Sequence, residues 1–350
     1  MDIIKEDSFK SVHNGKPTAL YTLKNKNGLV AQVTNYGAII VSIYVPDRNG
    51  KFVDILQGYD TIKEYIDGNG PYQGAICGRS ANRLEKGKFT LEGKEYTLAV
   101  NNGPNHLHGG LVGYSKVVWD VVSHSASKVQ MSYFSKDGEE GYPGNLKVSV
   151  TYSLTDDNEF RLDYEATTDK STLINLASHS YFNMAGEGSG DIYKQELLIN
   201  GNFYTPVDET SIPTGEIRSV KGTPMDFTDA KAFGTLIDVE DEQLKYGYGY
   251  DHNWVLNHRT GTLGLAAVAR DPESGRVMEV YTTQPGVQLY TANWIDGEKG
   301  KGGKKYGRRW AFCLETQHFP DAIHKPHFPS TILNPGETYK HSCVHKFLTK

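Results

Sequence analysis

From Val129 to Thr167 the chain alternates apolar and polar residues with a period of two, the spacing of strands that bury one face and wet the other. Val129 to Ser135 predicts one strand, Lys136 to Gly144 (KDGEEGYPG) a loop, and Leu146 to Leu154 a second strand. Thr155-Asp156-Asp157-Asn158 then turns the chain into a third, where Phe160, Leu162, Tyr164 and Ala166 alternate with Arg161, Asp163, Glu165 and Thr167. Such a succession predicts an antiparallel meander. Two more hairpins are legible: Lys88 to Leu91 and Glu95 to Leu98 about Glu92-Gly93-Lys94, and Ala269-Arg270 and Val277 to Val280 about Asp271 to Gly275. Helix signals are short and few: Asp60 to Ile66 with Asp60 as cap, a stretch near Asp226 to Ile237, and Glu240 to Lys245. No Pro-rich linker, Gly/Ser tract or fixed-period repeat divides the chain. The expectation is one all-β domain over residues 1–350 with a few short helices.

Composition agrees with that reading. Tyr supplies 22 residues against 13 Phe and 4 Trp, and Gly is high at 37, which suits half-buried strand faces joined by many tight turns. A net charge of −5 gives no field that would draw nucleic acid or an anionic membrane surface. The three cysteines, Cys77, Cys313 and Cys343, are odd in number and too far apart to form a disulfide framework. No apolar leader opens the chain, no run is long enough to span a bilayer, and no Asn-x-Ser/Thr acceptor occurs. A reducing, cytoplasmic address is expected, with neither nucleic acid nor membrane as partner.

Several reaction-bearing patterns are missing: there is no Gly-x-Ser-x-Gly elbow, no His-Glu-x-x-His, no Cys-x-x-Cys and no dinucleotide-binding glycine fingerprint. What remains are clusters of titratable, amide and aromatic residues. They are Asn82-Arg83, Asn105 to Gly110 (NHLHGG), Ser178 to Asn183 (SHSYFN), Gly249 to Trp254 (GYDHNW), Gln284 to Gln288 (QPGVQ) and Cys313 to Gln317 (CLETQ). Carboxylates, amides, Arg and His together both accept from and donate to hydroxyl groups, and aromatic faces cover apolar C–H surface, so the set suits a polyhydroxylated ligand. Glu315 follows the apolar run Trp310 to Leu314 and emerges from a buried strand, where burial would raise its pKa and nearby cations would lower it. It reads either as a general base or as a strand-end carboxylate bonded to Arg or backbone.

Ile174 to Ser178 reads as a strand that sets Asn175, Ala177 and His179 on one face. His106 and His108 share a strand face, and with His179 and Glu315 they would make a metal site; the two glycines that follow point instead to a tight turn against a ligand. His341, Cys343 and His345 also alternate onto one face, the usual pattern of a terminal surface strand. Lys299 to Arg309 carries six basic residues in eleven and reads as a solvated, flexible loop, with phosphate capture as the sharper alternative.

At these motifs the chain resembles the aldose 1-epimerase family. Ala81-Asn82-Arg83-Leu84, Leu107-His108-Gly109-Gly110, His179 to Asn183, Gly249 to Asn253, Thr283 to Gln288 and Leu314 to Gln317 occur in the family's order, and the resemblance runs from Asn35 to about Phe347. It implies a large antiparallel β-supersandwich with an open sugar cleft, no cofactor, and interconversion of the anomers of a free monosaccharide by a monomer or weak homodimer. By motif position it implies Glu315 as general base, His179 as general acid, and Asn82, Arg83, His108, Asp251 and Gln288 as the substrate-binding set. His106 is outside that pattern. Ser178, Met184 and Ala311 depart from the family's common residues and bear on substrate preference more than on chemistry. Other readings of the same residues are a hexose-6-phosphate epimerase on the same fold, a glycosidase using Asp251 and Glu315, and a non-catalytic sugar-binding module.

Overall fold

The computed structural model describes residues 1–350, and its architecture is set by three antiparallel sheets. The largest has nine strands, in the order Asp120–His124, Lys128–Ser135, Leu146–Leu154, Glu159–Thr168, Tyr339–Thr349, Arg276–Thr282, Gly264–Arg270, Glu196–Ile199 and Lys231–Ala232. Its centre is the meander read from the sequence. In Leu146–Leu154 the residues Leu146, Val148, Val150, Tyr152 and Leu154 are buried, and Val150 lies opposite Tyr164 of the next strand, so both apolar faces turn the same way. The C-terminal strand then inserts between Glu159–Thr168 and Arg276–Thr282, which pairs the end of the chain on both edges.

A five-stranded sheet, Arg218–Ser219, Phe203–Thr205, Asp251–Val255, Gly286–Tyr290 and Cys313–Gln317, packs against it. A four-stranded sheet, Leu20–Lys24, Val30–Thr34, Ile40–Pro46 and Phe52–Asp54, adds a third layer. One cluster of 54 buried apolar residues draws on all three, including Val33 and Ile43, Val148, Leu162 and Met278, and Trp254, Leu289 and Leu314. Sheets of this size join by burying their inner faces against one another.

Local structure departs from expectation at identifiable places. The first helix is Ile62–Gly68, capped by Thr61 rather than Asp60: Thr61 Oγ1 accepts from the Glu64 N–H and donates to the Glu64 carboxylate. The second is Glu242–Gly247, whose cap Asp241 accepts from the N–H groups of Gln243 and Leu244. Between 226 and 237 there is no α-helix, only the short strand Lys231–Ala232 and a 3₁₀ turn Phe233–Thr235. The hairpin at Lys88–Leu91 turns through Glu92 and Gly93 alone, and Lys94 is already in its partner strand. The trio His341, Cys343 and His345 does share a face, but it is a buried face in the middle of the large sheet, with His341 stacked on Tyr164 and within 3.0 Å of Thr316 Oγ1.

The basic segment 299–309 is not a free loop. Lys301 is buried, and its ammonium donates to Asp54 Oδ2 at 2.7 Å and to the carbonyls of Val41 and Leu56. Lys304 pairs with Glu187, Lys299 with Glu64, and Arg309, also buried, with Asp238. The charges pin this segment to the four-stranded sheet and its neighbours.

Candidate active site

Strand register assembles one wall of the site. Across the five-stranded sheet Asn253 lies opposite Gln288 and Gln288 opposite Glu315, while Asp251 lies opposite Tyr290 and Tyr290 opposite Cys313. Side chains alternate along a strand, so Asp251, Gln288, Tyr290, Cys313 and Glu315 share one face while Leu289 and Leu314 enter the core. The other wall comes from turns. Asn82 and His108 both adopt left-handed backbone, at φ 61° and 50°, an uncommon state for residues other than glycine. Gly109 follows at φ 87°, and a Cβ there would meet the Gly78 carbonyl oxygen at 1.8 Å, so only glycine lets the turn close.

His179 comes from a shorter element than expected. The strand is only Ala177–Ser178, paired with Ile76–Cys77, and Asn175 reaches its neighbours through a single bridge to Ser80. The His179 N–H donates to the Ala75 carbonyl, and its own carbonyl accepts from the Gly74 N–H. Its ring stacks on Tyr181 at 5.0 Å and meets the His108 ring edge-on at 5.1 Å, with Tyr72 against both.

All seven residues named from the sequence line one cleft or contact its lining. Asn82, Arg83, His108, His179, Asp251 and Glu315 border a cavity of about 710 Å³, and Gln288 lies behind Asp251, donating from Nε2 to Asp251 Oδ1 at 2.8 Å. Arg83 bridges the walls, with Nη1 3.4 Å from Asp251 Oδ2 and Nε donating to Asn102 Oδ1 at 3.0 Å. His179 Nε2 lies 3.6 Å from Glu315 Oε1, while Glu315 Oε2 is buried and has no hydrogen-bond partner. A buried carboxylate oxygen without a donor is costly, about 1–3 kcal/mol or more, and a ligand hydroxyl relieves that cost.

Burial, with the nearby Asp251 charge adding to it, pushes the Glu315 carboxyl well above the usual carboxylate range. Burial also pulls His179 down to about 4 and His108 well below the ordinary imidazole value. The backbone N–H of Asn82 donates to His108 Nδ1 at 3.1 Å, so that nitrogen carries no proton and Nε2 does. His108 therefore presents an N–H donor to the cleft.

The same bond bears on the metal alternative. His106 is not on the His108 face: its ring nitrogens contact the Ala99 carbonyl oxygen and Tyr142 Oη, deep in the protein. His108, His179 and Glu315 do bring ligand-type atoms within 4.8 Å of one another. For His108 to ligate through Nε2 it would have to surrender either that ring proton or the Asn82 bond, so the donor set suits hydroxyls better than a cation.

Sequence reading missed much of the lining. Tyr72, Asn102, Tyr181, Glu209, Tyr246, Tyr248, Tyr290, Trp294 and Glu298 all border the cleft. Trp294 and Tyr248 are more than half exposed and lie 4.1 Å apart at its mouth. Tyr181 and Tyr290 were reachable, since each stands two residues from a named site residue or one strand across from it; Tyr72 and Trp294 carry no such signal.

A family model described as aldose 1-epimerase matches residues 19–346. Among curated proteins, the galactose mutarotase of Sus scrofa is 45% identical over 340 residues, covering 95% of this chain and 96% of the relative. That of Bos taurus is 47% identical over 322 residues, covering 91% of each. Among solved structures, the aldose epimerase homologue from C. elegans superposes with a TM-score of 0.88 at 32% identity, covering 95% of this chain and 99% of that one.

Proposed function

The chain belongs to the aldose 1-epimerase family and is an isomerase of that class; we propose that Glu315 and His179 are the pair through which it interconverts the α and β anomers of a free aldohexose such as galactose or glucose. The observation that carries the reading is the 3.6 Å approach of His179 Nε2 to Glu315 Oε1 beside a buried, unpartnered Glu315 Oε2 on the cleft wall.

Opening a pyranose ring takes a proton from the anomeric hydroxyl O1 and gives one to the ring oxygen O5. Glu315 accepts the first and His179 supplies the second; the aldehyde then turns about C1–C2 and recloses on its other face as the two proton transfers reverse. Each group acts within about 3 Å of its oxygen, and such proton transfers contribute typically ~10²–10⁴-fold. The pair is suited to this because one proton can pass between its members. Burial favours the state with neutral Glu315 and neutral His179; O1–H donation to Glu315 favours the state with carboxylate and imidazolium. Both states have the same number of protons, so substrate binding selects between them without exchange with solvent.

Around that pair His108 donates from Nε2, Asp251 accepts from sugar hydroxyls and is held by Arg83 and Gln288, and Asn82 shapes the turn that fixes His108. The hexose-6-phosphate reading loses its support: Arg83 is the one Lys or Arg bordering the cleft, against the carboxylates of Glu209, Asp251, Glu298 and Glu315, and four of the six cations of the basic segment are paired with internal carboxylates. A single domain over residues 1–350 accords with the buried cluster that spans all three sheets. A reducing, cytoplasmic setting accords with three free, buried cysteines, and no helix is long and apolar enough to cross a membrane. Polarimetry of freshly dissolved α-galactose and α-glucose tests the activity. Rotation that relaxes no faster with the protein than in buffer would refute it, and release of nitrophenol from a nitrophenyl glycoside would point to hydrolysis instead.

A further inference from the structure

One tight turn, Asn101 to Asn105, sends asparagine side chains to separate parts of the cleft wall. It is closed by reciprocal backbone bonds: the Asn102 N–H donates to the Asn105 carbonyl at 3.0 Å, and the Asn105 N–H to the Asn102 carbonyl at 2.9 Å. Asn101 holds the turn that carries His108, since its Nδ2 donates to the carbonyls of Leu107 and Gly110 and its Oδ1 accepts from the Leu107 N–H. Asn105 is buried and donates from Nδ2 to the carbonyl and Oγ1 of Thr210, which borders the cleft. Between them Asn102 Oδ1 accepts from Arg83 Nε at 3.0 Å. We propose that Asn102 is a positioning residue for sugar binding: it holds the Arg83 guanidinium in the orientation that meets both Asp251 and a sugar hydroxyl.

A free arginine side chain samples many rotamers, and one that must be ordered as the ligand arrives weakens affinity. Arg83 is ordered beforehand. Its backbone pairs with Leu107, Nε is held by Asn102, and Nη1 faces Asp251 Oδ2 at 3.4 Å. Nη2 has no partner in the protein and is left for the ligand. A guanidinium only donates, so the atom of Asn102 that faces Nε has to be the amide oxygen. Asn102 serves as a fixed point because its turn is tied on both sides, to the His108 turn through Asn101, and to Thr210 and the Lys86 N–H through Asn105. The same turn therefore sets His108 and Arg83 relative to each other, two groups that the strand pairing of Arg83 with Leu107 alone leaves free to rotate.

The inference rests on Arg83 being a sugar-binding residue of the proposed site, and its test separates the two. Binding of galactose to the full-length protein is measured by calorimetric titration, and kcat by polarimetry. Asn102→Ala should raise Kd about 2–10-fold, the range that ordering one flexible side chain on binding is worth, with kcat little changed because Glu315 and His179 are untouched. Asn102→Asp keeps an acceptor for Nε but loses the amide N–H, and it should recover most of the affinity. In an Arg83→Met background, Asn102→Ala should have no further effect on Kd. A Kd that stays at the parent's value in Asn102→Ala while Arg83→Met binds weakly overturns the positioning role. So does an Asn102→Ala loss that persists in the Arg83→Met background, which would make Asn102 a direct sugar contact, and so does an Asn102→Asp protein that binds no better than Asn102→Ala. If Arg83→Met binds galactose as the parent does, the reading of Arg83 itself fails and the proposal falls with it.

Discussion

Replacing Glu315 by Gln keeps the shape of the side chain and removes its ability to take a proton, and two opposite effects should follow. Without a base for O1, turnover falls by the ~10²–10⁴-fold that a positioned acid or base contributes, equivalent to about 2.7–5.5 kcal/mol of barrier. Sugar binding should survive, because His108, Arg83 and Asp251 are untouched. Stability should move the other way. The folded protein raises the Glu315 pKa above its ordinary value of 4.5 by burying it, so ionisation opposes folding. The stability that comes from its protonated form is complete below about pH 4.5 and is lost as pH climbs through the raised value. Gln cannot ionise and escapes that loss, so the variant should match the parent in acid and be the more stable protein above it. The gap grows by about 1.4 kcal/mol for each pH unit between the ordinary and raised values. Polarimetry of α-galactose gives the first quantity, and denaturant unfolding at several pH values gives the second. Near-normal turnover in Glu315→Gln would refute the assignment, and a variant less stable than the parent at pH 8 would refute the claim that burial governs this carboxyl.

Three further outcomes are expected. His179→Asn should lose a comparable ~10²–10⁴-fold in kcat with KM little changed, measured by the same polarimetry, and full rate would remove His179 from the reaction. The pH profile of kcat should fall in acid near His179's value of about 4, as the ring gains a proton, and its other limb should lie above the ordinary carboxylate value of 4.5, where the buried Glu315 ionises. An acid limb at the ordinary imidazole value of 6.5 would contradict the buried pair. Lys301→Met leaves Asp54 buried without its counter-charge and should cost about 3–5 kcal/mol in denaturant unfolding, with much of the loss recovered by adding Asp54→Asn; a change within experimental scatter would return segment 299–309 to the status of a loose loop.

The fold was legible wherever one face of a strand is wet. Leu146–Leu154 and Glu159–Thr168 alternate because their outer faces meet water, and both strands appear at the positions that alternation predicts. The pattern fades where both faces are covered. Cys313–Gln317 and Gly286–Tyr290 are buried at every position, so period two has nothing to alternate between and their sheet order cannot be read from hydropathy. The C-terminal strand misled for the same reason: His341, Cys343 and His345 look like surface residues until the strand is seen between two others. Segment 299–309 misled through its composition. Gly and Lys together are the mark of a solvated loop, and only long-range partners such as Asp54 and Glu187 turn four of its six cations into anchors.

The site failed to be legible in a different way, and that difference is informative. Its motifs were visible, but each one breaks a local rule whose purpose appears only when the motifs meet. Asn82 and His108 occupy left-handed backbone, at a cost of order 1 kcal/mol or more each, so that one residue's N–H can orient the other's ring. Glu315 keeps an oxygen without a donor, and His179 is buried deeply enough to lose its ordinary affinity for a proton. Each feature alone weakens the folded state, and nothing in a hydrophobic pattern asks for it. Together they put the Glu315 carboxyl and the His179 ring 3.6 Å apart with a hydrogen-bond donor beside them. The large core spanning three sheets is what makes such a constellation tolerable: stability gathered over 54 buried apolar residues allows a handful of polar ones to be held where folding alone would never put them.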